Sequence, residues 1–293
     1  MGDPDMTLIH VFPGQGSHRP GIGRELFPKF PHLVRQADSV LGRSITDLCL
    51  NATAQELTDT RNTQTAMYVV NALSYLDAVR ETGQVPDVVA GHSLGEYVAL
   101  FAAGTFDFLT GLEIVVRRGE LMAKAPEGGM AAVMGVEAGR VREILAERAP
   151  TVDVANLNAP EQTVVSGPRG EIAKLRDVFG DEAKAVVPLN VGGAFHSRSM
   201  SEAAEEFGTF LAQYRLASPR IEVVSNVTAR PYGTDDPADL LTRQVASPVR
   251  WTESVAYLLE RPEAEFREIG PGQVLTGLVA QVKAHGRTLS PTA

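Results

Sequence analysis

The sequence predicts an α/β protein: a parallel sheet covered by helices on both faces, with a smaller mixed unit inserted into it. Three observations support this. Short apolar, β-branched runs alternate with long stretches of helical periodicity in the first part of the chain. Turns dense in glycine and proline separate them. Beyond Glu127-Gly128-Gly129 the order of elements changes to strand, helix, strand, strand, helix, strand.

Taken in order, Thr7-Leu8-Ile9-His10-Val11-Phe12 has the length and composition of a buried strand and ends in the turn Pro13-Gly14-Gln15-Gly16-Ser17. Helical periodicity covers 24–41 and 63–81. The run Val85-Pro86-Asp87-Val88-Val89-Ala90 then reads as a second strand, and the segment from Glu96 to Ala103 as the helix after it. In the middle of the chain, 130–136 reads as a strand and 138–148 as a helix. Two strands at 151–155 and 162–166, a helix at 171–179 and a strand at 183–188 complete the split βαβ pattern of ferredoxin-like domains. Residues 128–195 are therefore assigned to a small inserted subdomain, and 1–127 with 196–293 to the large one. Strands at 221–226 and 266–269 return to the main sheet, and the tail beyond Arg287 is expected to fray.

Hydrophobic residues make up 44% of the chain and charged residues 22%, as in a folded globular protein rather than a disordered one. The 293 residues are enough for two cores. A net charge of −9 lacks the basic footprint of a nucleic-acid binder, although a local basic patch can still dock an acidic partner. No apolar run is long enough to span a bilayer, and Met1-Gly2-Asp3-Pro4-Asp5 does not read as a signal peptide. The one cysteine, Cys49, sits in the run Leu48-Cys49-Leu50 and reads as a packing residue. These features predict a cytoplasmic protein. No zinc spacing, EF-hand loop or P-loop is present, so neither a metal nor a redox cofactor is expected.

The chemistry concentrates at Gly91-His92-Ser93-Leu94-Gly95, between a strand and a helix. In that setting G-x-S-x-G forms a nucleophile elbow: the glycines allow a sharp turn, and the helix N-terminus faces whatever the serine attacks. A glycine-rich loop holding an ordinary serine has the same five residues. A serine nucleophile needs a base, and the chain has six histidines. His92 leaves the elbow in another direction, His10 lies within a strand, His32 sits on a helix face and His285 in a polar C-terminal stretch. His18 follows the first glycine-rich turn and can face the same cleft. His196 closes Val191-Gly192-Gly193-Ala194-Phe195-His196-Ser197, where the inserted unit returns to the main one, and stands as either the base or a hinge histidine.

Six motifs now spell out a family. Pro13-Gly14-Gln15-Gly16-Ser17, Gly91-His92-Ser93-Leu94-Gly95-Glu96, Arg118-Gly119-Glu120-Leu121-Met122 and Gly193-Ala194-Phe195-His196-Ser197 occur in an order that resembles the malonyl-CoA:acyl-carrier-protein transacylases. Gln244-Val245-Ala246-Ser247-Pro248-Val249-Arg250-Trp251 and Glu268-Ile269-Gly270-Pro271-Gly272 extend the resemblance from about residue 7 to 280. It implies an α/β-hydrolase-like large subdomain with a ferredoxin-like small one.

The resemblance also implies roles. Ser93 would carry the acyl group, His196 would be its base, held by a main-chain carbonyl in the segment of Gln244 rather than by a carboxylate, and Gln244 itself would be among the residues that bind substrate. The backbone N–H groups of Gln15 and Leu94 would form the oxyanion hole. Arg118 would grip the malonyl carboxylate, although Arg117-Arg118 read alone is an ordinary solvated pair. Phe195 matches the position that marks malonyl-selecting enzymes, where a ring crowds an α-methyl branch. Asn156 and Asn158, read as an Asn-Leu-Asn turn, offer polar contacts to the acyl group or structural Asx-turns. His18 stands where glutamine is usual, which leaves the handling of the acyl group open.

The partners implied are malonyl-CoA and the phosphopantetheine arm of an acyl carrier protein, in polyketide or fatty acid synthesis. The CoA thioester is a substrate, not a cofactor. An acidic carrier would need a basic rim; Lys124, Arg140, Arg142, Arg169, Lys174 and Arg198 are the candidates, with surface scatter the alternative. Three rivals share most of these residues: an acyl-thioester hydrolase, transfer of a different acyl group, and a catalytically silent docking protein.

Overall fold

The computed structural model describes residues 6–289; Met1 to Asp5 and residues 290–293, including the end of the tail expected to fray, lie outside the described residues. Four strands form a parallel sheet in the order β7-β2-β1-β8: β1 is Leu8–Phe12, β2 is Val88–Gly91, β7 is Glu222–Val224 and β8 is Glu265–Glu268. β1 and β2 are buried along their whole length, as central strands covered on both faces must be. Their register pairs Phe12 with Gly91, so the turns after both strands leave the sheet at the same height. The N–H of His92 donates to the carbonyl of Phe12 across that seam, at 3.0 Å. Ligands in such sheets sit at the carboxyl ends of the strands, which is where this register places Gln15 and Ser93.

The second sheet is antiparallel, in the order β4-β5-β3-β6, with β3 Gly129–Met134, β4 Asp153–Ala159, β5 Gln162–Gly167 and β6 Ala185–Pro188. Period-two alternation divides its two faces. Ala131, Val133 and Val165 pack with Val141, Ile144, Leu145, Leu175 and Phe179 in a core of their own. Met130, Ala132, Ala155 and Val164 face the other way and join the main core. Backbone contacts tie the two units together: Glu127 bridges Gly193, and the N–H of Val249 donates to Ala155 at 2.9 Å.

Three local expectations need correction. The helix expected over 24–41 begins only at Pro31 and runs Pro31–Leu41. Gly23 sits at φ +79°, and Pro28 and Pro31 each disfavour helical geometry in the residue before them, so 20–29 is a series of turns. The helix over 171–179 is two short pieces, Arg169–Ile172 and Leu175–Phe179. Asn156-Leu157-Asn158 is not a turn: it lies inside β4, whose irregular pairing around Val154/Asn156 and Leu157/Ala159 carries the strand on to Ala159. The Asx-turn alternative for these two asparagines therefore falls.

Among the described residues, no helix is long and apolar enough to cross a membrane. Cys49 is buried, which pushes its thiol up to about 12.

Candidate active site

Ser93 takes φ +51°, the left-handed region a side chain rarely adopts, at the tip of the turn between β2 and the helix Gly95–Ala102. Both flanking glycines are sterically required. A Cβ on Gly91 would lie 1.9 Å from the Gly95 carbonyl carbon, and one on Gly95 would lie 2.0 Å from the Phe12 oxygen. Asn226, just past β7, holds the elbow from outside: its Oδ1 accepts the Ser93 N–H at 2.7 Å, and its Nδ2 donates to the Gly91 carbonyl at 2.7 Å.

His196 meets this serine from the returning segment, itself at φ +56°. Its Nε2 lies 2.7 Å from Ser93 Oγ, while Nδ1 lies 3.0 Å from the carbonyl of Gln244 and 3.1 Å from that of Ser247. Two carbonyl acceptors require a proton on Nδ1, which leaves the Nε2 lone pair facing the serine hydroxyl. Burial, reinforced by the positive Arg118, lowers the imidazole to about 3, so it is neutral near pH 7.

Arg118 is buried at 1% exposure on the helix Phe108–Lys124, whereas its neighbour Arg117 forms ion pairs with Glu120 and Glu206. Its Nη2 donates to Ser93 Oγ at 3.1 Å and to Gln244 Oε1 at 3.2 Å, and its Nη1 to Gln64 Oε1 at 2.8 Å. The guanidinium stands 5.2 Å from the centre of the Tyr97 ring. Among the described residues no carboxylate pairs with it, and its buried Nε has no acceptor. A buried cation without a counter-ion is costly, and the cost falls when an anion arrives.

A cavity of about 280 Å³ opens over Ser93, lined among others by Gln15, His18, Met130, Asn156, Phe195 and His196. The backbone N–H groups of Gln15 and Leu94, the expected oxyanion hole, meet no acceptor among the described residues, and Leu94 caps the helix behind the serine. His18 accepts from the Gly16 N–H at 3.3 Å, and burial lowers its pKa. Asn156 Oδ1 is buried and meets no partner among the described residues. Asn158 instead binds His92 Nε2 at 2.8 Å, and the His92 ring packs on Trp251, away from the nucleophile. Gly193 makes room for the Phe195 ring: a Cβ there would lie 2.6 Å from it.

Gln244 was expected to bind substrate, but it is fully buried behind Ser93 and belongs to the support rather than the cavity wall. The expected basic rim divides. Arg142 and Arg198 line a separate groove of about 700 Å³ that also reaches His196, and Lys124 lies in another groove beside Phe195. Arg140, Arg169 and Lys174 line neither cavity that touches the catalytic pair, and they are bound to Glu182, Glu127 and Glu171. Sequence reasoning missed Asn226, Gln64 and Ser247. Only Asn226 carried a signal, as a polar residue ending a buried strand at the same sheet edge as the elbow.

The sequence profile described as Acyl transferase domain matches residues 9–288. The chain is 50% identical over 279 residues to the polyketide biosynthesis malonyl CoA-acyl carrier protein transacylase PksC of Bacillus subtilis, covering 94% of this chain and 97% of that one. It is also 50% identical to the polyketide biosynthesis protein PksE of the same organism, over 97% of this chain but only 37% of PksE. A crystal structure of malonyl CoA-acyl carrier protein transacylase from Burkholderia pseudomallei superposes with a TM-score of 0.93 at 46% identity, covering 98% of this chain and all of that one. By sequence, by fold and over nearly its full length, the chain belongs to the malonyl CoA-acyl carrier protein transacylases, a family of acyltransferases.

Proposed function

We propose that this protein moves a malonyl group from malonyl-CoA to the phosphopantetheine thiol of an acyl carrier protein, through an ester on Ser93, in cytoplasmic polyketide synthesis. Arg118 is the observation that carries the choice of acyl group. It is a buried guanidinium with no carboxylate partner among the described residues, and one nitrogen lies 3.1 Å from the nucleophile. An acyl chain bound at Ser93 and ending in a carboxylate would supply the missing charge.

The steps follow from the geometry. His196 Nε2 takes the Ser93 proton as Oγ attacks the thioester carbon, and the oxyanion is received by the N–H groups of Gln15 and Leu94. The same imidazole protonates the CoA sulfur as the C–S bond breaks. In the second half, His196 takes the proton of the carrier's thiol, the sulfur attacks the ester carbon, and Ser93 recovers its proton. Side chains and backbone suffice for each step, with no metal or redox group. The positive Arg118 depresses His196, so a malonyl carboxylate on Arg118 also strengthens the base when the correct substrate is in place.

Intact-mass measurement after exposure to malonyl-, methylmalonyl- and acetyl-CoA, followed by holo-carrier protein, tests the reading. A malonyl adduct that moves to the carrier supports it. An adduct lost to water at the same rate with or without carrier points to a hydrolase, and no adduct with any thioester removes covalent catalysis.

A further inference from the structure

Behind Ser93, on the side away from the cavity, lies a buried acid that the mechanism above does not use. Glu96, the second residue of the helix Gly95–Ala102, is fully buried. Its Oε1 accepts from the Tyr232 hydroxyl at 2.6 Å and from the Asn226 N–H at 3.2 Å, and its Oε2 accepts from Gln244 Nε2 at 2.6 Å. Gln244 Nε2 also donates to the Ser93 carbonyl at 2.9 Å, and Gln244 Oε1 accepts from Arg118. Every polar atom of that amide is therefore committed, and its own main-chain carbonyl holds His196.

We propose that Glu96 is a positioning residue: its carboxylate fixes the side-chain amide of Gln244 in the orientation that presents Oε1 to Arg118, and so sets the preference for an acyl group bearing a carboxylate. The reason is donor and acceptor parity. An ionised carboxylate only accepts, so the Gln244 nitrogen must face it and the oxygen must face Arg118. Protonated on Oε2, Glu96 becomes a donor toward Gln244. The amide then turns over to accept, and its nitrogen confronts the Arg118 nitrogens, donor against donor. The turn also gives up the Gln244 donation to the Ser93 carbonyl, a loss at the nucleophile that acts with either thioester and cancels in a ratio of acyl groups, whereas the lost grip on the distal carboxylate does not cancel. The inference rests on Arg118 as the carboxylate ligand.

Burial raises Glu96 to about 7, although its hydrogen bonds oppose the shift. The titratable and charged groups around it are Tyr232, Tyr97 beside it on the helix, and Arg118 and His196 beyond Gln244. Both tyrosines are pushed up and stay protonated, and His196 titrates far lower. The preference is therefore present above the Glu96 titration and is lost as pH falls through it.

The test is the ratio of initial Ser93 acylation rates with malonyl-CoA and acetyl-CoA, measured by intact mass on the full chain. In the ratio, effects on the base and on CoA cancel. We expect it to fall about tenfold or more between about pH 8.5 and about pH 5.5, the loss of one charge-assisted contact. Protonation of His18 in the cavity would move the ratio the other way, by attracting the carboxylate. Tyr232→Phe removes a donor to the carboxylate and should move the midpoint to higher pH. Glu96→Gln, with donors where a pure acceptor is required, should give a low ratio that no longer changes with pH.

A flat ratio in the unaltered protein overturns the proposal, and this result needs no variant to fold. So does a folded Glu96→Gln protein with the unaltered ratio and pH response, or an unmoved midpoint in Tyr232→Phe. Arg118→Ala separates the levels. If it leaves the ratio unchanged, the reading of Arg118 has failed; if it collapses the ratio while Glu96→Gln does not, only the role of Glu96 has failed.

Discussion

The two sheets face one cavity and contribute differently to it. The parallel sheet contributes the ends of its strands: the turn after β1 brings the Gln15 N–H, the turn after β2 brings Ser93, and the loop after β7 brings Asn226. The antiparallel sheet contributes a side-chain face, Met130 from β3 and Asn156 from β4. Backbone groups at aligned strand ends are fixed by the ladder itself, to within the tolerance acyl transfer needs. Side chains on a sheet face can change volume without moving the reacting atoms. Substitutions on the parallel side should therefore cost chemistry, and those on the antiparallel side should cost selectivity.

The largest break comes at the elbow. Ser93→Ala removes the attacking atom and should abolish any mass increase with every thioester. His196→Ala should follow with a loss of roughly 10²- to 10⁴-fold in acylation rate, the usual worth of a positioned base. The residue should still be acylated slowly, because the Arg118 nitrogen at 3.1 Å from Oγ favours the alkoxide. An equal loss in both variants, read by stopped-flow release of CoA, would show that the imidazole and the hydroxyl cannot be separated.

Arg118→Ala tests both substrate choice and base strength. Malonyl acylation should fall by about 100-fold, corresponding to a lost charge-assisted fork of about 3 kcal/mol, while acetyl acylation should persist. With the cation gone, the main charge that depresses His196 goes too, so the acid limb of acetyl acylation should move to higher pH. Stability follows the same sign. An imidazole lowered on folding contributes stability above the unfolded value near 6.5, and that contribution is lost as pH falls through the folded value of about 3. His10, lowered to about 4 by burial, acts in the same direction. Glu96, raised to about 7, opposes them between that value and its ordinary 4.5, so melting temperature should decline most clearly below about pH 4.5, and less steeply in Arg118→Ala.

How much was legible in the sequence follows the same division. The elbow could be read because its demands are local: Gly91 and Gly95 are excluded from bearing a Cβ by neighbours that any strand–turn–helix brings close. The order of elements in the inserted sheet could be read because alternation in β3 and the periodicity of the helix Ala138–Arg148 repeat over a few residues. The residues that hold the site from behind could not. Glu96 meets Tyr232 across 136 positions and Gln244 across 148, and nothing in the local pattern marks a buried acid. Arg118 and Arg117 are identical to any local reading, and only the packed fold buries one and leaves the other in ion pairs. The asparagines of β4 were misread because polar residues around leucine look like a turn, until tertiary pairing with Val249 draws the segment into a strand.

Phe195 lies at the seam between the two sheets, one residue before the base, and its effect should be intermediate. Its ring is buried and lines the cavity without touching a polar step. Phe195→Ala should admit methylmalonyl about tenfold better relative to malonyl, the worth of about one methyl-sized clash. A fall in malonyl rate of more than about tenfold would instead place Phe195 among the residues that position His196.

The smallest effect sharpens the comparison most, because activity and stability should move in opposite directions. Asn156, on the antiparallel wall of the cavity, has a buried Oδ1 that meets no donor among the described residues. An unsatisfied buried amide oxygen costs about 1–3 kcal/mol, and valine suits a strand better than asparagine. Asn156→Val should therefore raise the stability measured by urea unfolding by about 1 kcal/mol. If the amide contacts the malonyl group, the same change should lower malonyl acylation a few-fold, and acetyl acylation less. A gain in stability with no change in the malonyl-to-acetyl ratio would make Asn156 a structural residue, and the small sheet's part would shrink to the apolar wall around Met130. A loss of stability would mean that the oxygen does find a partner in solution, and the contrast between the two sheets would then rest on Phe195 alone.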